Sequence, residues 1–349
     1  MNQLNTSEKY MQRCLDLAIL AEGNTYPNPL VGSVIVHNNK IIGEGYHCKA
    51  GEPHAEINAI RSVKNKALLT DSTLYVNLEP CAHFGKTPPC SLAIIKNKIP
   101  RVVIGCVDSF SEVAGKGIEM LRGAGVEVTV GILEKESRFL NRRFFTFHEK
   151  KRPYIVLKWA QTLDGYIDVD RDSLEYGEPT WITNEWARRA VHKQRTHEQA
   201  ILIGTHTAQK DNPSLTVRDW CGHQPHRLII DKQLTLSPEL TIFDHKVPTI
   251  IFNTIKDAKE ENLEYIKLTP GDDWHALILK TLYKRGFQSI IVEGGYQLLE
   301  SFIQASSWDE AHVYVGQKWF RQGVKAPKIA CRPEAEAHFN DSHLYVYHN

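Results

Sequence analysis

Three short segments constrain this chain more than any other feature: Gly51-Glu-Pro-His54-Ala-Glu56, Glu79-Pro-Cys81 and Pro89-Cys90. One His and two Cys supply three soft or borderline ligands for a zinc ion and leave the fourth tetrahedral position to water. That is the arrangement of a catalytic metal and not of a structural one. Used as a set, the three segments require a fold that brings them to one point, and the surrounding pattern offers one. From residue 7 to residue 22 the apolar residues Tyr10, Met11, Cys14, Leu15, Leu17, Ala18 and Ala21 fall at helical spacing, with Ser7 as the cap. Tyr26-Pro-Asn28-Pro-Leu-Val-Gly32 then breaks the helix, and residues 33–36 and 40–46 read as strands about an Asn38-Asn39 turn. Residues 54–63 have a helical pattern, 72–78 a strand pattern, 90–98 a helical one, and 101–107 and 126–130 are strands. Strands alternating with helices predict an α/β layered domain. His54, Cys81 and Cys90 are each expected at a helix-opening position.

At 349 residues the chain exceeds one ordinary core. The charged run Glu149-Lys-Lys-Arg152-Pro153 marks a boundary, which gives domains at 1–149 and 150–349. The second half repeats the alternation, with a strand at 154–159, a helix around 186–194, and strands at 200–204, 227–231, 249–253, 289–293 and 311–315. Residues 317–349 show no assignable pattern. With 42 basic and 41 acidic residues the chain lacks the excess of positive charge that a nucleic-acid partner calls for. The polar N-terminus and apolar runs of only strand length predict no membrane span. Seven Cys, an odd number without a secretion signal, read as reduced thiols of the cytoplasm.

Singly, each of the three motif residues is weak, because His is usually a satisfied polar group and Cys a buried one. Their order carries the weight: His-x-Glu…Pro-Cys…Cys is the signature of zinc-dependent nucleobase deaminases. Zinc lowers the pKa of its water toward neutrality. Glu56 can take that proton and return it to a ring nitrogen and the departing ammonia, as general base and then acid. A Gln there would keep the shape and lose the proton transfer. Cys81 and Cys90 are separated by eight residues, and the intervening Ala-His-Phe-Gly-Lys-Thr-Pro-Pro is expected to line the pocket. Cys48 falls outside the motif and reads as structural. Asn28 reads equally as a turn residue or as a hydrogen-bonding group at the sheet edge. Two rival readings of the motif are a nucleic-acid base deaminase with an accessory binding domain and a zinc-stabilised binding protein. The charge balance disfavours the first and Glu56 the second.

The same residues carry a resemblance. Tyr26-Pro-Asn-Pro-Leu-Val-Gly32, Gly51-Glu-Pro-His-Ala-Glu56 and Leu78-Glu-Pro-Cys-Ala-His-Phe-Gly-Lys-Thr-Pro-Pro-Cys90 closely resemble the deaminase half of the bifunctional riboflavin-biosynthesis deaminase–reductases. The gap between the cysteines is characteristic of that family. The second half is similar to it in Leu157-Lys158, Leu163-Asp-Gly165, Trp181-Ile-Thr183, Asp211-Asn-Pro-Ser-Leu-Thr-Val-Arg218 and Val292-Glu-Gly-Gly295. The resemblance implies a cytidine-deaminase-like three-layer α/β/α domain followed by a dihydrofolate-reductase-like α/β domain. The lack of G-x-G-x-x-G after a strand agrees with the latter. It implies zinc-dependent deamination of a phosphoribosylated diaminopyrimidinone, then NADPH-dependent reduction of the ribosyl group to ribityl. The implied partners are this small phosphorylated pyrimidine, one Zn2+ and NADPH, with no nucleic acid and no membrane; a homo-oligomer is compatible with it.

In the second domain the resemblance places Arg195, Leu215, Arg218 and Glu293 on the substrate, and the planar fork of arginine suits a phosphate. It places Ala160, Trp181, Thr207, Asp211 and the run Gly295, Tyr296, Gln297, Leu298, Leu299, Glu300 and Ser301 on NADPH. Glycines at a helix start let backbone amides approach phosphates. Read without the resemblance, the arginines are solvated charges, Glu-Gly-Gly is a turn, Trp181 a core aromatic and Thr207 a helix cap. Departures from the family are Pro179 in place of a substrate-contacting Ser, a longer acidic loop at 168–178, Thr162 in place of Ser, and Gln317-Lys-Trp-Phe320 after Gly316.

Overall fold

Asn5, not Ser7, caps the first helix, α1 (Thr6–Ala18). Its side-chain oxygen accepts from Glu8 N at 3.0 Å while the Glu8 carboxylate accepts from Asn5 N at 2.7 Å. Ser7 has no acid three residues on to reciprocate, so the capping box decides the start. The computed structural model describes residues 5–84, 88–110, 115–170, 177, 180–269 and 273–349. The chain divides into two units, Met1–Lys150 and Lys151–Asn349. No helix among the described residues is long and apolar enough to cross a membrane.

In the first unit α1 is followed by β1 (Gly32–His37), β2 (Lys40–Tyr46), α2 (Ala55–Ser62), β3 (Thr73–Leu78), α3 (Cys90–Lys96) and β4 (Arg101–Cys106). After these come α4 (Lys116–Gly123), β5 (Glu127–Val130), α5 (Glu134–Leu140) and α6 (Arg142–Lys150). The strand order is β2-β1-β3-β4-β5, with β1 antiparallel to both neighbours and β3, β4 and β5 parallel. The β1–β2 hairpin turns at Asn38 and Asn39 with φ of 49° and 57°, the left-handed pair that asparagine tolerates. Alternation along the strands covers both faces. Ile35, Leu74, Val76 and Ile104 pack with Ile60 of α2 and Ile94 of α3. Val34, Val36, Tyr75 and Val103 meet Met11, Cys14 and Leu17 of α1.

This topology already places the motif. Because β2 and β3 both run antiparallel to β1, they end at the same edge of the sheet, and the segments after Tyr46 and Leu78 emerge together. At Gly45 an added Cβ would lie 2.6 Å from the backbone N of Ala59, so the glycine lets α2 rest directly on β2.

The second unit holds β6 (Tyr154–Thr162), β7 (Tyr166–Asp168), α7 (Glu185–His197), β8 (Ala200–Gly204), α8 (Thr205–Asp211), β9 (His226–Ile230) and β10 (Thr249–Asn253). It continues with β11 (Ala258–Glu260), β12 (Leu263–Lys267), α9 (Trp274–Lys284), β13 (Ser289–Glu293), α10 (Tyr296–Gln304) and β14 (Glu310–Gly316). Last come β15 (Val324–Lys325), β16 (Ala335–Phe339) and β17 (Ser342–His348). The large sheet has the order β11-β12-β10-β9-β8-β13-β6-β14-β17-β16. Strands β12 through β14 in that order are parallel, with antiparallel β11 at one side and β17 and β16 at the other. Ile155, Leu157, Leu202, Ile290 and Val292 pack under Ile278 and Leu282 of α9 and Leu299 and Phe302 of α10. The unassigned stretch from 317 onward therefore contains strands: β17 pairs with β14 from Glu310↔His348 to Gly316↔Ser342. The strand expected at 227–231 ends at Ile230, and β6 continues past Trp159 to Thr162. Pro179 and most of the 168–178 loop lie outside the described residues.

Two candidate active sites

In the first unit His54 is the N-cap of α2, with extended backbone and no side-chain bond to the helix. Its Nδ1 lies 3.3 Å from Cys90 Sγ and 3.6 Å from Cys81 Sγ. The ligand atoms of His54, Cys81 and Cys90 all lie within 4.8 Å of one another, the one such group among the described residues. Cys90 is the first residue of α3, but Cys81 is in the loop after β3 and opens no helix, which corrects the expectation for it. What fixes Cys81 is the start of α3: Cys90 N donates to its sulfur at 3.3 Å, and Ser91 N and Oγ donate to its carbonyl at 3.2 and 2.9 Å.

The electrostatics suit a cation. The Cys81 thiol is held down at about 4, first because the Cys90 thiol donates to it and then because His54 stands beside it, against the cost of burial. The same shared proton and burial push Cys90 well above the ordinary thiol range. Cys81 also raises the pKa of His54. Bonds of zinc to N and S of roughly 2.0–2.3 Å place tetrahedral ligands about 3.5 Å apart, which the His–Cys separations match. The donor set fits zinc. Glu56, in the first turn of α2, is 3 % exposed, and burial followed by the charge of Cys81 lifts its carboxyl to about 7. A dication beside it would act in the opposite sense.

His47, which sequence pattern does not single out, adjoins this site and links it to Asn28. Asn28 Nδ2 lies 3.0 Å from His47 Nε2, and His47 Nδ1 lies 3.2 Å from Pro53 O. Burial lowers the pKa of His47, so the neutral ring accepts from Asn28 and donates to Pro53. Its ring meets that of His54 edge-on at 5.4 Å. Asn28 is thus a hydrogen-bonding group as well as a turn residue. The segment behind it is clamped by two buried asparagines: Leu30 N donates to Asn141 Oδ1 at 2.7 Å, and Asn77 Nδ2 and Asn141 Nδ2 donate to Leu30 O. Cys48 donates to Tyr46 O at 3.6 Å and is not in the ligand group. His83 and Phe84 are exposed in the loop between the cysteines, and Lys86 lies outside the described residues.

In the second unit the parallel strands deliver their C-terminal ends to one edge, where Thr162, Glu293 and Gly316 sit and where α8 and α10 begin. Glu293 is the centre of a charge cluster. Arg195, in the last turn of α7, donates to it through Nε at 3.2 Å and Nη2 at 3.0 Å, and through Nη1 to Thr216 O at 3.1 Å. Lys158 Nζ of β6 is 3.6 Å away. Burial pushes the Glu293 carboxyl up, but Arg195 and Lys158 outweigh it and hold it at about 2. Lys158, whose ammonium burial drives downward in pKa, is the residue that the sequence reading left without a role. Its signal is a charge inside the apolar run of a central strand.

The other expected residues divide. Arg218 is exposed, with Nη1 donating to Ser214 Oγ at 2.9 Å. Leu215 is 3 % exposed and packs in the core, so its side chain is not offered to a ligand. Trp181 is no core aromatic: it is 48 % exposed, with the Arg188 guanidinium 4.5 Å over its ring. Thr207 lies inside α8 and caps nothing; its hydroxyl accepts from Gly295 N at 2.9 Å. Gly294 has φ 145°, a backbone that favours glycine, and a Cβ there would meet Thr207 Oγ1 at 3.1 Å. Ala160 pairs with Tyr314 across β6 and β14, and Asp211 closes α8.

Helical periodicity splits the run from Gly295 to Ser301. Tyr296 and Gln297 are exposed at the start of α10, which has no side-chain cap. Leu299 is fully buried in the core, Leu298 packs against that core, and Ser301 Oγ is bonded to Leu298 O and His275. Glu300 accepts from Gln304 at 3.1 Å. The start of α10, with no side-chain cap, leaves backbone amides that suit a phosphate. A cavity of ≈ 480 Å³ lined by His226, Lys259, Glu264 and Arg285 belongs to the opposite, N-terminal ends of the strands and to neither site.

His192 of α7 gives the second unit a pH dependence. Its Nδ1 accepts from Arg218 N at 3.1 Å, and burial followed by the charge of Arg195 lowers its pKa to about 4. From about pH 6.5 down to about 4 the unfolded chain takes up a proton that the folded one refuses, so stability is greatest above this window and falls through it. The expected loss is on the order of 3 kcal/mol. Urea denaturation at pH 7.5 and 4.5 checks it: a His192→Gln variant with the same pH dependence as wild type would assign the loss elsewhere.

Comparison with known proteins covers both units. The cytidine and deoxycytidylate deaminase zinc-binding region matches residues 4–106, and the RibD C-terminal domain matches residues 153–323. The riboflavin biosynthesis protein RibD of Aquifex aeolicus is 40 % identical over 336 residues, covering 95 % of this chain and 92 % of that protein. RibD of Escherichia coli is 38 % identical over 330 residues, 89 % of this chain and 88 % of that protein. A Thermotoga maritima crystal structure of a diaminohydroxyphosphoribosylaminopyrimidine deaminase/5-amino-6-(5-phosphoribosylamino)uracil reductase superposes with a TM-score of 0.86 at 36 % identity, covering 98 % of each chain. Acinetobacter baumannii RibD gives 0.86 at 31 % identity, covering 99 % of each.

Proposed function

The chain belongs to the RibD family of riboflavin biosynthesis, and we propose from that membership and from the geometry how its residues divide the two reactions. It is a bifunctional enzyme, a zinc-dependent deaminase and an NADPH-dependent reductase. The first unit, in this reading, deaminates diaminohydroxyphosphoribosylaminopyrimidine, and the second reduces 5-amino-6-(5-phosphoribosylamino)uracil, the compounds for which the Thermotoga relative is named. The observation that carries it is the meeting of His54, Cys81 and Cys90 beside a buried Glu56.

His54, Cys81 and Cys90 would hold the zinc, which when bound lowers the pKa of a water and makes it a nucleophile. Glu56 takes one proton from the attacking water and gives it to the ring nitrogen. It then carries the second, from the hydroxyl formed on the ring carbon, to the amine, so that the carbonyl forms and ammonia departs. His47 adjoins the site and links it to Asn28, and a neutral imidazole and an amide there can orient the pyrimidine. In the second unit NADPH, when bound, would supply the hydride. The start of α10 and Trp181 would seat the cofactor, and the ionised Glu293 with Lys158 and Arg195 would orient the sugar and its phosphate. Seven free cysteines support a cytoplasmic setting.

A coupled assay with the diaminopyrimidine phosphate, following ammonia and NADPH separately, tests the division. Chelation of zinc is expected to stop ammonia release while NADPH oxidation continues with the deaminated compound. Loss of both activities on chelation would overturn the assignment of zinc to the first reaction alone.

A further inference from the structure

Glu79 stands two residues before Cys81 and has no part in the chemistry assigned above. It is 4 % exposed. Its Oε2 accepts from the backbone N of Asp108 at 3.3 Å and Gly115 at 2.9 Å, and its Oε1 from Gly117 at 2.9 Å and Ile118 at 3.3 Å. Three of these donors belong to the start of α4, whose first amides have no partner within the helix and whose positive end favours a carboxylate. The fit continues along the chain. A Cβ at Gly117 would lie 2.0 Å from the carbonyl oxygen of Pro80, so the first turn of α4 is pressed against the peptide that joins Glu79 to Cys81. On the other side Ser91 of α3 bonds the carbonyl of Cys81, and its hydroxyl also reaches Met120 Sδ of α4 at 3.0 Å. The main chain of Cys81 is held between two helices, and Glu79 is the group that ties it to the second.

We propose that Glu79 is a positioning residue for the zinc: by anchoring α4 it sets where the Cys81 sulfur stands relative to His54 and Cys90. The proposal rests on the zinc reading given above. Groups that orient ligands without touching the metal change its affinity by about 10- to 100-fold. Glu79→Gln keeps the volume but offers one acceptor oxygen and turns its own NH2 toward backbone N–H groups.

The test uses full-length, zinc-free wild type, Glu79→Gln, Gly117→Ala and Cys81→Ser, each titrated with Zn2+ against a chromophoric chelator, with denaturation midpoints measured without metal. Glu79→Gln is expected to raise the zinc Kd by about 10- to 100-fold, release zinc faster, and recover deamination when zinc is added. Gly117→Ala, which keeps the Glu79 carboxylate but pushes on the Pro80 carbonyl and crowds Glu79 Oε1 at 3.2 Å, is expected to shift the Kd in the same direction. A wild-type Kd in Glu79→Gln overturns the proposal and leaves the zinc reading standing, whether or not the midpoint drops. Failure of both Glu79→Gln and Gly117→Ala to fold makes the role one of stability and also overturns it. A wild type that binds no zinc, or binds it as well without the Cys81 thiol, removes the zinc reading itself.

Discussion

Glu56→Gln is expected to abolish ammonia release while the protein keeps its zinc and its NADPH oxidation. Gln matches Glu in volume and the position is 3 % exposed, so the packing at the start of α2 is preserved. No metal ligand is removed, since the ligand group is His54, Cys81 and Cys90. What is lost is a carboxyl that can both accept and return a proton, a contribution of about 10²- to 10⁴-fold. Both proton transfers of the deamination pass through it here, so the fall belongs at the upper end, about 10³-fold or more. Ammonia release, zinc content and NADPH oxidation with the deaminated compound are the three measurements. Near-normal ammonia release would remove Glu56 from the mechanism, whereas loss of zinc would make it a structural support of the site.

The second large effect is expected from Arg195→Met. The guanidinium spans Glu293 and the Thr216 carbonyl, with side-chain exposures of 12 % for Arg195 and 11 % for Glu293. Removing it leaves the carboxylate desolvated beside Lys158 alone. Breaking a buried pair from one side costs about 3 kcal/mol or more, because the remaining charge is stranded. The second unit should lose that stability and its NADPH oxidation, while ammonia release from the first continues. Replacing both partners, Arg195→Met with Glu293→Met, removes the stranded carboxylate but leaves the Lys158 ammonium, 3.6 Å from it, without its partner, so stability should recover only in part and reduction not at all. Unchanged NADPH oxidation in the single variant would take the pair out of the site.

How much of this is legible in the sequence depends on whether a residue acts by its type or by what it faces. His54, Glu56, Cys81 and Cys90 act by type: hydrolytic deamination on zinc needs an imidazole, thiolates and a carboxyl in a spacing that helix starts and strand ends can deliver. His47 and Asn141 act through neighbours distant in the chain, and no local pattern marks them; Glu79 lies within a motif, but nothing local marks its partners in α4. The same division runs through the fold. The parallel strands are apolar runs and are readable, as is the Asn38-Asn39 turn. Helix α5 has Ser137 as its only buried residue, so there is no apolar stripe to find. Strand β17 is partly covered along most of its length, which removes the alternation that would signal it. The cofactor run shows what resemblance leaves unsaid: six of its seven residues lie in α10, whose side chains cannot all face one way, and that of Leu299 turns into the core.

The pairing of β14 with β17 bears on any attempt to make the reductase by itself. The match to the RibD C-terminal domain stops at residue 323, yet β14 is hydrogen-bonded to β17 along its whole length, as far as His348. A protein cut at 323 would present β14 as a bare edge with a row of unsatisfied amides and carbonyls, a template for strand addition from another molecule. Insolubility of such a fragment would report on a missing neighbour strand and not on an inability of the reductase to fold alone.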